Sequence, residues 1–286
     1  MANLKEIRNR ITSVSSTMQI TSAMKMVSAA KLKKAQDAIS AMRPYSDKLT
    51  ELLQSLSASN DSELGSKYAE QREVKNVLIV TITSNRGLCG AFNSNIIKQT
   101  QRLINDVHAD KNVSILAIGK KGNDKFAKND IVMANRSDLF DDLTFDNVAE
   151  VAGMLMAEFL NNKYDKIEIV YNKFKNAATQ IVMTEQFLPI VPVEGDEENT
   201  TDYVFEPSKV KIIEELIPKS LKTQLYKGVR DSFASEHGAR MTAMHKATDN
   251  ATELRDQLKL TYNKARQASI TNEILEIVGG AEALNN

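Results

Sequence analysis

The two ends of the chain repeat apolar residues every three or four positions and are almost free of glycine and proline. Over residues 1–43 the repeat runs through Leu4, Ile7, Ile11, Val14 and Met18, then Leu32, Ala35, Ile39 and Met42. This average spacing of about 3.5 residues predicts a helix that keeps one seam towards a partner helix. Between the two runs the apolar residues move by one position, to Ile20, Met24 and Val27, which predicts a local shift of the seam. Pro44 is expected to kink or end the helix.

The C-terminal end shows the same pattern. Ala239 to Val278 are 40 residues without glycine or proline. Their apolar stripe is Met244, Ala247, Ala251, Leu254, Leu258, Tyr262 and Ala265. At ~1.5 Å per residue such a helix is roughly 60 Å long, too long to be covered by a compact domain, so it must pair with another helix. The other end of the chain is the expected partner, and Pro218 is interpreted as a break or the first turn of a new helix.

The middle of the chain has the pattern of an α/β domain. Strand-like runs rich in β-branched residues alternate with helix-like segments: Val77–Thr83, Val113–Ile118, Lys166–Phe174 and Thr179–Ile190 are the strands. This alternation predicts βαβ units and a mostly parallel sheet. The expected fold is therefore α+β/mixed, an antiparallel coiled coil of long N- and C-terminal helices with an inserted Rossmann-like α/β domain. Four divisions are expected: an N-terminal coiled-coil helix at residues 1–57, the three-layer α/β domain at 74–192, an acidic loop and foot segment at 193–207, and a C-terminal coiled-coil helix at 208–286.

Charge is balanced overall but not along the chain. Lys plus Arg and Asp plus Glu number 37 each, which gives no electrostatic reason to expect nucleic-acid binding. Residues 1–43 carry eight basic and two acidic side chains, a net charge of +6, and residues 44–207 carry 17 basic and 25 acidic ones, a net charge of −8. The basic segment is either a site for an acidic partner or a solvated helix face. No apolar run is long enough to span a membrane, so membrane association is expected only through partners.

The turn SNRGLCGAFN, which follows the first predicted strand, is the strongest candidate for a nucleotide site, but its pattern does not support one. It lacks the G-x-G-x-x-G spacing of dinucleotide sites, since Gly87 and Gly90 stand without a G-x-G pair. A second segment, AIGKKGNDKF, has the glycines and lysines of a P-loop in the wrong order and lacks its hydroxyl residue. Gly87 and Gly90 are expected to allow the turn, and Cys89, the single cysteine, lacks a predicted basic partner. His237 and His245, eight positions apart on a predicted helix, are too far apart to hold a metal together and are expected at the surface. The sequence therefore predicts no catalytic site, no cofactor and no metal site.

The termini and this turn carry a resemblance to a known family. The segments MANLKEIRNRITSVSSTMQITSAMKMVSAAKLKKAQ and NKARQASITNEILEIV, together with RGLCG, resemble the gamma subunit of the F-type ATP synthase. The resemblance implies a rotor shaft without catalytic nucleotides, surrounded by alpha and beta subunits, with the epsilon subunit and the membrane c-ring at its base. It also implies a peripheral position at the cytoplasmic face of the bacterial plasma membrane.

The resemblance assigns roles to particular positions. Contact with a beta subunit, and coupling through it, is implied for Met24, Lys25, Lys31, Lys33, Lys34, Arg266 and Gln267. Met24 matches a family position at which a charge disturbs coupling. A low-friction bearing in an apolar sleeve is implied for Ile274, Leu275, Ile277 and Val278. Contact with the c-ring or the epsilon subunit is implied for the foot residues Tyr203, Phe205 and Glu206, for which an ordinary edge strand is the alternative.

Two other functions are compatible with the same pattern. An α/β nucleotide-binding protein with helical extensions would bind ATP tightly as an isolated chain. A coiled-coil scaffold without a rotary role would form a stable dimer of its own and would not need beta subunits. The rotor hypothesis predicts instead one copy for each ring of alpha and beta subunits.

Overall fold

The computed structural model of the chain describes residues 4–57, 67–190 and 209–285. Its longest elements are two helices, α1 (Leu4–Ser57) and α5 (Lys209–Asn285). Pro44 lies inside α1 and Pro218 inside α5, so neither proline ends its helix and the interpretation of Pro218 as a break was wrong. Proline disfavours a helix interior by about 3 kcal/mol. Around Pro218 the helix packs its apolar side chains, among them Ile217 and Leu221, into the core of the α/β domain, and this packing outweighs the local preference.

The centre of the chain forms a five-stranded sheet in the order β3-β2-β1-β4-β5. The strands are β1 (Asn76–Ile82), β2 (Asn112–Ile118), β3 (Val132–Asn135), β4 (Lys166–Phe174) and β5 (Gln180–Leu188). Pairings β1–β2, β1–β4 and β2–β3 are parallel, and β4–β5 is antiparallel. The mostly parallel sheet is confirmed. The prediction missed β3, because four residues are too few for alternation to stand out.

Helices cover both faces of the sheet. They are α2 (Phe92–Arg102), continued by a π-helical turn (Leu103–Val107), α3 (Lys120–Phe126) and α4 (Phe145–Leu160), with short 3-10 turns at Ala127–Asn129 and Ser137–Phe140. One core places strand residues such as Leu78 and Leu116 against α4 and against Leu221, Leu225 and Val229 of α5. On the other face α2 and α3 pack over residues such as Ile79 and Ile115. The domain therefore has three layers, and α5 supplies part of one of them.

The chain divides into two compact units. The first consists of Met1–Ser28 and Met241–Asn286, and the second of Ala29–Arg240. In the first unit the two chain ends lie side by side as a helical pair, and the second contains the sheet. The expected fold class, long terminal helices that form an antiparallel coiled coil with an α/β domain inserted between them in the sequence, is confirmed.

The seam of the coiled coil differs from its prediction. In the first unit the buried or half-buried positions of α1 keep a regular spacing of three and four, through Ile7, Ile11, Val14, Met18, Thr21, Lys25 and Ser28. The expected shift to Ile20, Met24 and Val27 is wrong for two of the three residues, because Ile20 is 60 % exposed and Val27 is 57 % exposed, while Met24 is half-buried beside Lys25. On α5, Leu254 is 47 % exposed and Arg255 occupies the seam instead. Polar residues therefore occupy the seam positions of the heptad where the predicted apolar residues are exposed.

Candidate functional site

Polar contacts across the first unit fix the direction of helix pairing. Arg8 Nη2 donates a hydrogen bond to the hydroxyl of Tyr262 over 2.7 Å, and the Arg8 guanidinium lies 5.6 Å from the centre of the Tyr262 ring. Farther along, Arg255 Nη1 lies 3.4 Å from Met18 Sδ. Residue numbers rise along α1 as they fall along α5, so the pair is antiparallel.

Two threonines face each other within the seam of this pair. Thr248 Oγ1 lies 2.8 Å from Thr21 Oγ1, and Thr21 Oγ1 lies 3.1 Å from the backbone oxygen of Met18. A consistent arrangement has Thr248 donating to Thr21 and Thr21 donating to the Met18 carbonyl, so that each hydroxyl proton is used once. Ser28, also buried on the seam, donates to the carbonyl of Met24 over 2.8 Å. The seam therefore contains satisfied polar groups where an apolar coil would place leucine.

The residues expected to contact a beta subunit differ in exposure. Met24 and Lys25 are half-buried in the first unit. The other five are exposed, three in the second unit and two in the first: Lys31, Lys33 and Lys34, then Arg266 and Gln267. Exposed cationic and amide groups of this kind are open to contact with another chain.

The end of α5 carries apolar side chains that the rest of the described chain does not cover. Every residue from Thr271 to Ala281 is exposed, and Ile277, at 71 %, is the most exposed of the large apolar ones. The other predicted bearing residues are also exposed: Ile274, Leu275 and Val278. The foot residues expected at the other end of the molecule, Tyr203, Phe205 and Glu206, lie outside the described residues.

The turn after β1 is held together by a small internal network. Asn93 Nδ2 donates to Ser84 Oγ over 2.8 Å and to Cys89 Sγ over 3.2 Å, while Asn93 Oδ1 accepts from the Ser84 backbone N–H over 2.9 Å. Ser84 Oγ in turn donates to the backbone oxygen of Arg86 over 2.6 Å. These bonds close the chain over Cys89, whose thiol is only 2 % exposed.

The backbone of this turn uses a left-handed conformation at two positions. Gly90 has φ of 59°, which glycine adopts at little cost. The other position is Leu88, with φ of 62°, and not Gly87. A leucine in this region is strained by contact between its Cβ and the backbone. The side chain of Leu88 is 66 % exposed, so its own packing does little to offset that strain.

Arg240 of α5 connects this turn to a buried charge cluster. Its Nη2 lies 3.4 Å from the backbone oxygens of both Arg86 and Gly87. Its Nη1 forms an ion pair with Glu236 Oε1 at 2.6 Å and lies 3.4 Å from His237 Nδ1. Arg240, Glu236 and His237 are all buried. One guanidinium therefore contacts a carboxylate, an imidazole and two carbonyls.

The cluster shifts the proton affinity of its members. Burial, followed by the neighbouring cations Arg240 and Lys31, lowers the pKa of His237 to about 3, so the imidazole is neutral at pH 7. Burial raises the pKa of Glu236, and Arg240 opposes this effect. Because the Arg240 guanidinium can only donate, His237 Nδ1 accepts and Nε2 carries the proton. That Nε2 is buried and has no hydrogen-bond partner among the described residues.

Cys89 has the environment of a structural thiol. Burial raises its pKa, although Ser84 and Arg240 act in the opposite direction. A raised pKa keeps the thiol protonated, and the protonated form is a poor nucleophile. Within residues 4–57, 67–190 and 209–285, no three side chains of the metal-binding types are grouped so as to hold a metal ion.

The expectation that both His237 and His245 lie at the surface was wrong for His237. His237 is buried as described above. His108 is buried as well, with Nε2 at 2.9 Å from Glu168 Oε2, and Lys166 forms an ion pair with the other oxygen of Glu168 at 2.7 Å. Only His245 is exposed. His108 and Glu168 are 60 positions apart in the sequence, so spacing alone gave no indication of their pairing.

Sequence reasoning also missed Arg240 and the two seam threonines. A possible signal for Thr21 and Thr248 was available, because both lie on a strict spacing of three and four with the apolar residues on either side. Arg240 had no comparable signal, since its carbonyl partners lie more than 150 positions earlier in the chain.

None of the helices in the described segments contains a stretch that is both long and apolar enough to cross a membrane.

Comparison with known proteins gives a consistent result over the whole length of the chain. Residues 3–284 match the ATP synthase family. The ATP synthase gamma chain of Flavobacterium psychrophilum is 72 % identical over 285 residues, which cover 99 % of each chain. The gamma chain of Christiangramia forsetii is 67 % identical over 285 residues, with complete coverage of both chains.

A solved structure has the same fold at lower identity. A chain in the Euglena gracilis mitochondrial ATP synthase, from a structure of OSCP, F1 and the c-ring, is similar with a TM-score of 0.71 and 23 % identity, covering 98 % of this chain and 94 % of that one. This likeness supports the fold described above. The match over residues 3–284 and the identity of 72 % to a full-length relative show that the chain belongs to the family of ATP synthase gamma chains.

Proposed function

We propose that this chain is the central-stalk rotor subunit of an F-type ATP synthase. It transmits torque between the membrane c-ring and the catalytic beta subunits during proton-driven ATP synthesis or during ATP hydrolysis, and the reacting nucleotides lie on other subunits. The observation that carries the proposal is the antiparallel pairing of the chain ends, marked by Arg8 against Tyr262 and Thr21 against Thr248.

The pairing suits a shaft for a mechanical reason. A single α-helix bends readily over tens of ångströms, whereas two helices joined along a seam resist bending and twisting together. Contacts between side chains from opposite ends of the sequence prevent the helices from sliding past each other under load. The resistance of the helix pair to bending and sliding is expected to depend little on salt concentration, because the described contacts between the two helices are mostly hydrogen bonds and packing.

The exposed charges on the helices are suited to contact with beta subunits. Lys31, Lys33 and Lys34 offer cations to acidic loops, and Lys25 is half-buried next to Met24. Arg266 and Gln267 are exposed and supply forked, always-charged donors and an amide that can donate or accept. Rotation presents these groups to successive beta subunits and so favours a different conformation in each.

The apolar tail has the properties of a bearing. Ile274, Leu275, Ile277 and Val278 are exposed along a helix whose polar backbone groups are satisfied internally. In an apolar sleeve formed by the ring of alpha and beta subunits, such a surface turns without breaking hydrogen bonds. The tail is therefore proposed to be buried in the assembled complex.

The other proposed contacts are at the base of the rotor. Tyr203, Phe205 and Glu206, within the foot segment 193–207, are proposed to contact the c-ring or the epsilon subunit. The α/β domain at 74–192 is proposed to lie beside them, with the helices at 1–57 and 208–286 forming the shaft. The complex would be peripheral at the cytoplasmic face of the bacterial plasma membrane, and nucleic acid has no role.

Reconstitution tests the proposal directly. The chain is co-expressed with alpha and beta subunits of a close relative, and the stoichiometry and ATP hydrolysis of the purified assembly are measured. One copy for each ring and hydrolysis that depends on the chain are expected. A chain that forms a stable dimer of its own and leaves hydrolysis unchanged would be a scaffold, and tight ATP binding to the isolated chain would identify a nucleotide-binding protein.

A truncation separates the bearing from the fold. The side chains of residues 271–281 are all exposed. Removal of residues 271–286 is therefore expected to change the free energy of unfolding of the isolated chain by less than about 0.5 kcal/mol. The assembled complex is expected to lose rotor retention, measured as dissociation of the chain under ATP turnover. A truncated chain that assembles and turns over normally contradicts the bearing role.

A further inference from the structure

We infer that Arg240 is a positioning residue that holds the turn of residues 86–88 closed over Cys89. The inference starts from the geometry of one guanidinium. Arg240 Nη2 lies 3.4 Å from the carbonyl oxygens of Arg86 and Gly87, which are more than 150 residues away in sequence. These two carbonyls belong to a turn whose outer residues, from Arg86 to Leu88, are exposed.

The turn needs an external contact to stay in this conformation. Leu88 has a left-handed backbone, with φ of 62°, which leucine disfavours, and its side chain is too exposed to contribute much packing. The internal hydrogen bonds of Asn93 and Ser84 secure the two ends of the turn. The carbonyl of Gly87, in the middle of the turn, accepts its hydrogen bond from Arg240. Arg240 therefore holds the middle of the turn.

The guanidinium is itself held in place. Glu236, one helical turn earlier on α5, forms an ion pair with Arg240 Nη1 at 2.6 Å. His237 Nδ1 accepts from the same nitrogen at 3.4 Å, and a neutral imidazole at this position avoids charge repulsion with the arginine. Both side chains are buried, so the arginine has little freedom to turn away from the carbonyls. The clamp thus fixes the turn to α5, the helix that continues into the coiled coil.

Cys89 provides a reporter for the clamp. It is the only cysteine of the chain and is 2 % exposed beneath the turn. A thiol-reactive probe can reach Sγ only when the turn opens. If opening and closing are fast compared with labelling, the labelling rate is proportional to the fraction of molecules in which the turn is open. This measurement does not depend on the rotor role proposed above.

The experiment measures maleimide labelling of the Cys89 peptide in the folded full-length chain by mass spectrometry. Arg240→Met is expected to raise the labelling rate roughly ten- to hundred-fold, because two bonds from a charged donor are lost. Arg240→Lys keeps the charge but cannot reach both carbonyls with a planar fork, and an intermediate rate is expected. Unchanged labelling in folded Arg240→Met would overturn the inference.

Two matched variants separate the clamp from general loosening of α5. Arg230 lies on the same helix, and its guanidinium donates to the Leu143 carbonyl over 2.9 Å and to the Tyr226 hydroxyl, neither of which belongs to the turn. Arg230→Met is therefore expected to leave Cys89 labelling unchanged. Glu236→Gln, combined with Arg240→Met, removes the buried carboxylate that the single variant leaves unpaired. If labelling is fast in Arg240→Met but normal in the double variant, the unpaired charge is the cause and the clamp is rejected.

The strained leucine gives a further test of the same idea. Leu88→Gly relieves the left-handed conformation, so the turn depends less on Arg240. The effect of Arg240→Met on labelling is expected to be at least threefold smaller in the Leu88→Gly background than in the original chain. Equal effects in both backgrounds would show that Arg240 does not act on the conformation of this turn.

Discussion

The hydroxyl of Thr248 on α5 lies 2.8 Å from the hydroxyl of Thr21 on α1, joining the two chain ends at a seam position. Each threonine also has a local carbonyl within reach, that of Met244 for Thr248 and that of Met18 for Thr21. If either hydroxyl is removed, the other can therefore still donate to its local carbonyl. The bond between them is expected to fix the register of the two helices more than it adds to the free energy of unfolding, as polar residues do at seam positions of other coiled coils.

A double-mutant cycle on this pair measures the bond. Thr21→Val and Thr248→Val preserve side-chain shape, and the coupling between them in the free energy of unfolding is expected to be about 0.5–1.5 kcal/mol. Chemical unfolding followed by circular dichroism gives the four values. The control cycle pairs Thr21→Val with Thr261→Val, because Thr261 is exposed and bonds only to its own helix. Similar coupling in both cycles would mean that the Thr21–Thr248 bond has no specific effect.

The buried imidazole of His237 predicts acid destabilisation. Its pKa is about 3 in the folded chain and ~6.5 when unfolded, so below pH 6.5 the unfolded state takes up a proton that the folded state does not. The stability contributed by neutral His237 is complete above pH 6.5 and falls as the pH decreases towards 3. The loss between pH 7 and pH 5 is about 2 kcal/mol by linkage.

Substitution isolates this contribution from those of other groups. His237→Gln removes the titrating imidazole. Between pH 7 and pH 5 the free energy of unfolding is therefore expected to decrease by about 2 kcal/mol less in this variant than in the original chain. His245→Gln is the matched control, because His245 is exposed on the same helix. An unchanged pH dependence in His237→Gln would show that the pKa of His237 is not lowered in the folded chain.

Gly119 is expected to tolerate no side chain. It follows β2 with φ of 109°, and a Cβ built there lies 2.1 Å from the backbone oxygen of Thr83. Gly119→Ala is therefore expected to destabilise the chain by more than about 3 kcal/mol. Gly153 lies inside α4 with nothing within 4 Å of a built Cβ, and Gly153→Ala is expected to stabilise by about 0.5–1 kcal/mol. Thermal unfolding of both variants checks the contrast, which fails if the two shifts have the same sign.

Met24 tests the rotor proposal. A lysine in place of this half-buried side chain adds a charge at the edge of the coiled coil, where it can bind one beta conformation too strongly. Met24→Lys is expected to lower ATP-driven proton transport more than ATP hydrolysis in membranes that contain the assembled complex. Met26→Lys is the control, since Met26 is already 65 % exposed. Equal loss of transport and hydrolysis in Met24→Lys would contradict the role assigned to Met24.

The sequence determined the elements whose signal is local and repeated. Ile7, Ile11, Val14 and Met18 define one face of a helix through spacing alone, and the β-branched runs of β1, β2 and β4 define buried strands in the same way. Periodicity requires several residues to register, which explains why the four residues of β3 were missed. The family resemblance at both termini added the proposed partners, which no spacing could supply.

Tertiary structure decided what depends on groups brought together from distant positions. Thr21 continues the seam because Thr248 lies opposite it, and helix α5 passes through Pro218 because neighbouring side chains are buried in the sheet core. The pKa of His237 is lowered first by burial and then by the cations Arg240 and Lys31, and that burial exists only when α5 packs on the α/β domain. The contacts of Arg240 with the 86–88 turn likewise form only in the folded chain. Periodicity encodes which face of a segment is apolar. The identity of the groups opposite that face, which sets polar pairing and proton affinity, arises only from the folded chain.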